Sequence, residues 1–203
     1  MTNDTLMVHS VSGSLANNAA RYSHNTIQGH HHGLFGILYY ADMNQLRWSM
    51  SVGCLLDTNS PAARYGAGQV LKRPILGSGV VISDKQPNRL VISDLHIPYH
   101  HCDSFDFLSA IKKEFKCTEV LNVGDMLDHH AGSYHEAEPD ALDPESEYYA
   151  AQKYGRELQS IFPKMTITQG NHDKIPQRKL KTVGLPSSMV SDYNALYGFK
   201  EGW

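Results

Sequence analysis

The sequence has few of the features that place a protein in a membrane or in an oxidising compartment. It contains no apolar run of about 18 residues and no basic-then-apolar leader after Met1, so we expect neither a membrane span nor a secretion signal. Only three cysteines are present, Cys54, Cys102 and Cys117, and this odd set without metal-type spacing favours reduced thiols. These absences predict a cytoplasmic protein that has no membrane partner.

A large net charge of either sign is also absent. Charged residues make up 19% of the 203 residues and the net charge is −3 with histidine neutral, so no overall positive field would attract nucleic acid. The hydrophobic fraction of 41% is ordinary for a globular protein, and the length allows a full core. Histidine is the abundant exception, because 12 are present and several lie in clusters at residues 30–32, 100–101 and 129–130.

The second half of the chain alternates strand and helix patterns. Three short apolar runs predict strands, at Arg89–Ser93, Glu119–Val123 and Met165–Thr168. Helical periodicity predicts helices over Asp103–Phe115, with Asp103 or Ser104 as the cap, and from Asp143 to Phe162. This alternation indicates a parallel sheet with right-handed crossovers, in which ligands bind beyond the carboxyl ends of the strands.

The first half of the chain has a different pattern, in which strands dominate. The candidate strands are Leu6–Val8, Asn25–Gln28, Leu34–Tyr40, Leu46–Leu55 and Pro74–Ile82. Turn residues separate several of them, so we expect a second, antiparallel sheet. The polar segment Ser83–Asn88 predicts a short connection between the two halves.

Each predicted strand of the second half is followed by a polar motif. The motifs are Asp94-Leu95-His96, Gly124-Asp125-Met126-Leu127-Asp128 and Gly170-Asn171-His172-Asp173. Carboxylate and imidazole groups together suit divalent first-row metals, and the absence of thiolates argues against a structural zinc site. Because Asp94 and His96 are two residues apart on an extended segment, both side chains point the same way and can hold one ion.

The second and third motifs extend this predicted site. Asp125, at the end of the neighbouring strand, can bridge two ions, and Asn171 offers an amide oxygen to the second ion. His172 would then serve as a proton donor, with Asp128 orienting its ring. Such a site suits phosphate ester cleavage, since two ions acidify a water molecule and neutralise the phosphoryl oxygens.

Together these motifs resemble the calcineurin-like metallophosphoesterase superfamily. Its pattern is Asp-x-His, Gly-Asp-x-x-Asp and Gly-Asn-His-Asp/Glu, followed by a lone His and then Gly-His-x-His. The resemblance implies an α/β fold, a two-sheet sandwich flanked by helices. It also implies that Asp94, His96 and Asp125 hold one metal ion, that Asp125 and Asn171 hold a second, and that His172 is the general acid.

The last two blocks of the family pattern lie upstream of the others. Val8-His9-Ser10 resembles the lone-His block and Gly29-His30-His31-His32 resembles Gly-His-x-His, which implies His9 and His30 on the second metal and His32 on the first. We therefore predict one circularly permuted domain over residues 1–203. Residues 1–82 would be the family's C-terminal half, 83–88 the connecting turn, and 89–203 its N-terminal half. A swapped dimer, in which the halves meet between chains, is the alternative.

These observations predict a metal-dependent phosphoesterase, with phosphodiesters favoured. Protein phosphatases of the superfamily carry Arg after Gly-Asp-x-x-Asp, where this chain has His129, and Glu where it has Asp173. We expect two divalent ions, manganese first, with iron, zinc, nickel and cobalt open. The expected substrate is a small phosphate ester or nucleotide, and the protein a monomer or homodimer.

Three other functions stay open on the sequence. They are a phosphomonoesterase, a nuclease and a non-catalytic metal-binding scaffold. The nuclease rests on the basic residues Lys174, Arg178, Lys179 and Lys181 after the third motif. Three histidines near the second motif are further candidates for phosphate contact: His129, His130 and His135.

Overall fold

A computed structural model of the chain describes residues 5–9, 14–41, 43, 45–61, 63–64, 73–84, 86–134, 138–190 and 193–203. Within these ranges the chain forms two four-stranded sheets. The first sheet has the order β1 (Thr5–Val8), β2 (Asn25–Gln28), β4 (Leu46–Val52) and β3 (Phe35–Ala41). Strands β1, β2 and β4 are parallel, and only β3 runs antiparallel to its neighbour β4.

The expected antiparallel arrangement of this sheet was therefore wrong for β1 and β2. A helix that the strand pattern did not predict, α1 (Leu15–Tyr22), carries the chain from the end of β1 back to the start of β2. Such a crossover makes the two strands parallel. Its buried face is small and partly polar, formed by Leu15, Asn18 and Ala19, so this eight-residue helix offers few apolar positions to a sequence pattern.

The second sheet has the order β5 (Gly79–Val81), β6 (Arg89–Ile92), β7 (Glu119–Asn122) and β8 (Thr166–Ile167). Strands β6, β7 and β8 are parallel, as the alternating pattern predicted. The helices between them are α2 (Ser104–Glu114) and α3 (Pro144–Ile161). The predicted strands Pro74–Ile82 and Met165–Thr168 are shorter in the structure, although Leu76 still forms an isolated bridge with Cys54.

The two halves of the chain meet in the second sheet. Strand β5 belongs to the first half and pairs antiparallel with β6, the first strand of the second half. The backbone N–H of Ser83 donates to the Asn88 side chain at 3.4 Å, which closes the connection between these strands. Lys85, within the predicted connecting segment, lies outside the described residues.

Two apolar layers hold the domain together. Between the sheets, a core forms from Ile27, Met50, Val52, Val91, Leu121 and Val123. On the other face of the second sheet, Leu90 and Ile92 pack with Leu108 of α2 and Leu158 of α3. Because strand residues alternate between the two faces, adjacent residues of β6 supply both layers. This packing fixes the carboxyl ends of the parallel strands.

Two further helices follow the third motif, α4 (Ile175–Thr182) and α5 (Tyr193–Tyr197). At the open edge of the first sheet, β3 exposes four large apolar side chains: Phe35, Ile37, Leu38 and Tyr39. None of the described helices is both long and apolar enough to cross a membrane.

Candidate metal centre

Five strand ends from both sheets supply the predicted site. The expected metal ligands lie within four residues of the ends of β1, β2, β6, β7 and β8, and these ends meet at the site. In the folded chain they form two groups of close ligand atoms, one of His32, Asp94 and His96 and the other of His9, His30 and Asp125. Within each group the ligand atoms lie within 4.8 Å of one another. Residues from the two halves of the chain occur in both groups.

The first group is centred on the buried carboxylate of Asp94. Its Oδ1 lies 3.0 Å from Nε2 of His32 and 3.9 Å from Nε2 of His96. Oδ2 accepts hydrogen bonds from the backbone N–H of His30 at 3.0 Å and from the hydroxyl of Ser93. The carboxylate is therefore held by both halves of the chain while one edge faces two imidazoles.

The second group is centred on Asp125. Nε2 of His9 lies 2.8 Å from Oδ2 of Asp125 and 3.1 Å from Oδ1 of Asn171, so the amide predicted as a ligand joins this group. The ring of His30 lies edge-on to His9, with centroids 5.2 Å apart. Asp125 also reaches toward the first group, because its Oδ2 lies 4.0 Å from Nε2 of His96.

The histidines are oriented by bonds on their outer nitrogens. Nδ1 of His9 donates to the backbone oxygen of Val123 at 2.7 Å, and Nδ1 of His96 bonds Oδ1 of Asp128 at 2.5 Å. Both rings therefore present Nε2 to the centre of the site. A partner on the outer nitrogen is the usual way in which proteins orient and strengthen an imidazole metal ligand.

The backbone at the site adopts an uncommon conformation. Four of the expected ligands have left-handed φ angles: His30 at 72°, Asp94 at 52°, His96 at 51° and Asp125 at 49°. Each such angle costs about 1–3 kcal/mol for a residue with a side chain, and these conformations cluster at functional sites. Gly29 precedes this set, and a side chain at that position would collide with Ser93 and Asp94. The local backbone is therefore less stable than an unstrained one, and this conformation brings the four side chains together.

His172 and Asp128 lie next to the first group. Asp128 was expected to contact only His172, but it contacts His96 as well. Nδ1 of His172 bonds the backbone oxygen of Asp128 at 2.7 Å, while the Asp128 carboxylate is 3.2 Å away. That carboxylate is closer to His96 and so touches both rings. The His172 ring stands edge-on to His96, with centroids 4.6 Å apart.

The charges of the site complement each other strongly. Burial by itself would lower the pKa of His9, but the hydrogen bond and charge of Asp125, with the charge of Asp94, raise it to about 9. Burial opposes ionisation of Asp94, yet His32 and His96 hold the pKa of this carboxyl well below its ordinary value. The neighbouring imidazoles thus stabilise the ionised form of a buried carboxylate, which a bound cation would also do. This donor set fits divalent first-row metal ions.

One residue that holds the site together was quoted in the third motif but given no structural role from the sequence. The buried carboxylate of Asp173 accepts hydrogen bonds from the backbone N–H groups of Asp125, Leu127 and Gly170 at 2.8, 3.1 and 2.8 Å. It also accepts from the hydroxyl of Tyr193 at 3.0 Å. The loops after β7 and β8 are therefore joined at this side chain. The only sequence signal was its place next to His172.

Two of the three histidine candidates for phosphate contact, His129 and His130, pack against other protein groups. Nδ1 of His129 bonds the backbone oxygen of His172 at 3.0 Å, and its Nε2 bonds the hydroxyl of Tyr197 at 2.5 Å. Burial lowers the pKa of His129 to about 4, so this ring is a neutral structural group. His130 is buried with its ring edge-on to Tyr99, and His135 lies outside the described residues.

Comparison with known families agrees with this geometry. The family model of calcineurin-like phosphoesterases matches residues 88–203, more than half of the chain. The chain belongs to the calcineurin-like phosphoesterase family. Searches among curated proteins and among solved structures return no match. The two-sheet α/β architecture with flanking helices, predicted from the motifs, is confirmed and is consistent with this family.

The match stops short of three residues of this phosphoesterase centre. His9, His30 and His32 lie before residue 88, yet each falls within one of the two groups of ligand atoms. The matched half supplies Asp94, His96 and Asp125 to the same groups. The candidate metal centre therefore combines chain segments inside and outside the matched region.

Proposed function

We propose that the protein hydrolyses phosphodiesters with two bound divalent metal ions. The observation that carries the proposal is the position of Asp125, whose carboxylate contacts His9 of one ligand group and approaches His96 of the other. One carboxylate between two groups of ligands is the arrangement that a dinuclear site requires. Membership of the calcineurin-like phosphoesterase family supports metal-dependent phosphoester hydrolysis.

The assignment of residues to the two ions follows the two groups. Asp94, His96 and His32 would hold the first ion, His9, His30 and Asn171 the second, and Asp125 both. When bound, such ions supply an acidified water molecule as nucleophile and the positive charge that the phosphoryl oxygens need. Manganese is our first choice because carboxylate and amide oxygen ligands suit it, while the imidazoles keep iron, zinc, nickel and cobalt open.

His172 would protonate the leaving oxygen as the general acid. Its Nδ1 is bonded to Asp128, so Nε2 is the nitrogen that would exchange the proton. The backbone N–H of His172 donates to Oδ1 of Asp125 at 2.8 Å, which keeps the ring beside the metal ligands. Asp128 contacts the ring through its backbone oxygen and its carboxylate, and so would act as a positioning residue.

We assign the unusual motif order to a circular permutation within one domain. Support comes from the first half, whose residues 5–81 supply His9, His30 and His32 to ligand groups that the second half completes. The β5–β6 pairing gives the rejoined ends a short connection. The single chain brings all these ligands together, which favours assembly in cis over a swapped dimer.

A phosphodiester is favoured over a phosphomonoester because the arginine typical of the family's protein phosphatases is replaced by His129, which faces Tyr197. We expect a small phosphate ester or nucleotide as the substrate. The three cysteines are free thiols, which supports a reducing, cytoplasmic location.

The test is turnover of matched aryl phosphate monoester and diester substrates after reconstitution with manganese, zinc or nickel. We expect metal-dependent hydrolysis that is faster for the diester and is abolished by a chelator. His172→Ala should keep its metal content and lose about 10²–10⁴-fold in turnover, as removal of a general acid does. The exposed His24→Ala variant is the control. Two bound metals with no turnover of either ester would instead support the non-catalytic scaffold.

A further inference from the structure

A cleft opens beside the second group of ligands. Its volume is about 340 Å³, and its lining residues are Val8, His9, Gln169, Gly170, Asn171, Lys174 and Arg178. Two of the proposed metal ligands, His9 and Asn171, form one wall, and two cations of the same chain segment form another. A group bound in the cleft would thus lie next to the phosphate being cleaved.

Arg178 is held at this cleft by a specific contact. Its Nη2 donates to the backbone oxygen of Asn171 at 2.8 Å, so the guanidinium is tied to the residue that carries a proposed ligand. A guanidinium has five N–H donors in a planar fork, and this bond uses one of them. Lys174 lies four residues earlier, one helical turn away, and lines the same cleft.

The two cations of the cleft have no carboxylate partner among the described residues, unlike two arginines elsewhere in the structure. Arg64 pairs with Asp140 at 2.7 Å and Arg89 with Glu119 at 2.5 Å, so each is balanced by a carboxylate. In the part of the chain that the structure describes, neither Lys174 nor Arg178 forms an ion pair. The protein as a whole has a net charge of −3, so the positive charge at the cleft is local.

We infer that the cleft is a subsite for a second phosphate group of the substrate. Arginine and lysine side by side recognise phosphate through charge and through a fork of N–H donors. The inference rests on the proposed function and adds the class of substrate, a phosphate ester with a further phosphate next to the scissile one. That second phosphate occurs both in nucleoside diphosphate compounds and in short oligonucleotides.

The experiment compares substrates with one and two phosphates, on the metal-reconstituted protein. The substrates are bis(p-nitrophenyl) phosphate, a nucleotide sugar and a 5′-phosphorylated dithymidylate. In the double variant Lys174→Ala/Arg178→Ala, we expect KM to rise about 10–100-fold for at least one two-phosphate substrate, since two charge-assisted contacts are lost. The KM for the single-phosphate diester should rise far less, because that ester has no second phosphate whose contacts are lost. The two-phosphate substrate whose KM rises identifies the source of the second phosphate, a nucleoside diphosphate compound or an oligonucleotide.

The matched control is Lys181→Ala, which removes an exposed cation of the same helix α4 that does not line the cleft. Equal KM values for the double variant and this control with both two-phosphate substrates would overturn the subsite.

Binding of inorganic pyrophosphate separates this inference from the proposed function. If no ester is hydrolysed, the proposed function fails, but calorimetry with pyrophosphate still tests the cleft. We expect the double variant to bind pyrophosphate at least about tenfold more weakly than Lys181→Ala, because the second phosphate loses its partners. Equal affinities would overturn the inference.

Discussion

At the scale of single residues, the loop geometry of the site depends on one carboxylate. Asp173 uses Oδ2 to accept from Asp125 and Gly170, and Oδ1 to accept from Leu127 and Tyr193. Burial and the charge of Asp125 raise the pKa of this carboxyl, so its ionised form is costly in this position. Four donors nevertheless converge on it, which shows how strongly the two loops are constrained.

Replacing Asp173 by Asn should therefore weaken both the fold and the metal site. One amide nitrogen would face two donors, and we expect unfolding free energy to fall by about 2–4 kcal/mol, as for buried donors that lose a partner. Metal affinity should fall as well, because Asp125 moves with its loop. Denaturant titration and metal calorimetry measure the two effects. Tyr193→Phe removes one of the four bonds and should cost only about 1 kcal/mol.

Glu147 provides a pH-dependent test away from the metal ligands. It accepts from the backbone N–H groups of His130 and Ala131 at 2.7 and 2.8 Å, but burial, aided by the charge of Asp128, raises its pKa from 4.5 to about 7. Because the folded-state pKa is the higher one, the stability that the protonated carboxyl contributes is complete below pH 4.5 and is lost as the pH rises through 7.

We expect Glu147→Gln to destabilise the protein more at pH 5 than at pH 8. The glutamine cannot titrate, so the difference in unfolding free energy between wild type and variant should shrink by up to about 3 kcal/mol over this range. Denaturant unfolding of the metal-free protein at the two pH values measures it. A difference independent of pH would contradict the raised pKa.

At residue scale, the sequence was sufficient to predict which side chains converge, because they follow strand ends in short motifs. Seven predicted ligands lie together in the structure. The anchoring role of Asp173 could not be predicted, since its partners are backbone groups of a loop 46–48 residues away. The inward orientation of His129 depends on Tyr197, which is also distant in sequence.

At the scale of elements, two aspartates occupy equivalent positions before helices but act differently. The side chain of Asp143, before α3, accepts from the backbone N–H groups of Glu145 and Ser146. Asp103, before α2, makes no such bond. The sequence predicted a cap at Asp103 or Ser104 and only a helix start at Asp143, but of the two aspartates it is Asp143 whose side chain caps its helix.

Asp143→Ala should therefore lower the unfolding free energy by about 1 kcal/mol, the usual cost of losing an N-cap side chain. Asp103→Ala is a matched control and should cost less than about 0.5 kcal/mol, as substitutions outside such contacts do. Thermal unfolding of both variants at one pH gives the comparison. Equal losses would show that the difference in capping has no energetic effect.

The elements themselves were predictable where apolar residues recur with a clear period. Strand β2 matches its predicted bounds, and α2 and α3 differ from theirs by one residue at each end. The direction of strands in the first sheet was not predictable, because it depends on α1, a helix of eight residues with a small apolar face. One missed crossover thus changed the expected topology of the sheet.

At the scale of the whole molecule, the ligand groups combine residues that are far apart in the chain. His9 and Asp125 are separated by more than half of the sequence, yet Nε2 and Oδ2 lie 2.8 Å apart in one chain. Loss of either residue should therefore impair binding of the second metal ion. If the site forms between two chains, two variants with different defects can together form an intact site. If the site forms within one chain, they cannot.

We expect no recovery of metal binding when the His9→Ala and Asp125→Asn proteins are mixed, unfolded and then refolded together. If each site forms within one chain, every site keeps one substitution. The metal content per chain should then equal the average of the metal contents of the two variants refolded separately. A swapped dimer would regain intact sites in part of the mixture. Metal analysis of the refolded mixture distinguishes the two, and recovery would contradict the cis assembly.

The open edge of the first sheet has a consequence for handling the protein. Strand β3 carries no charged residue or proline in its seven positions, and it exposes Phe35, Ile37, Leu38 and Tyr39. Charges and prolines are what usually prevent such an edge from accepting another strand. Aggregation of concentrated samples would therefore start at β3, and a lysine in place of Leu38 is the change that would keep the protein in solution.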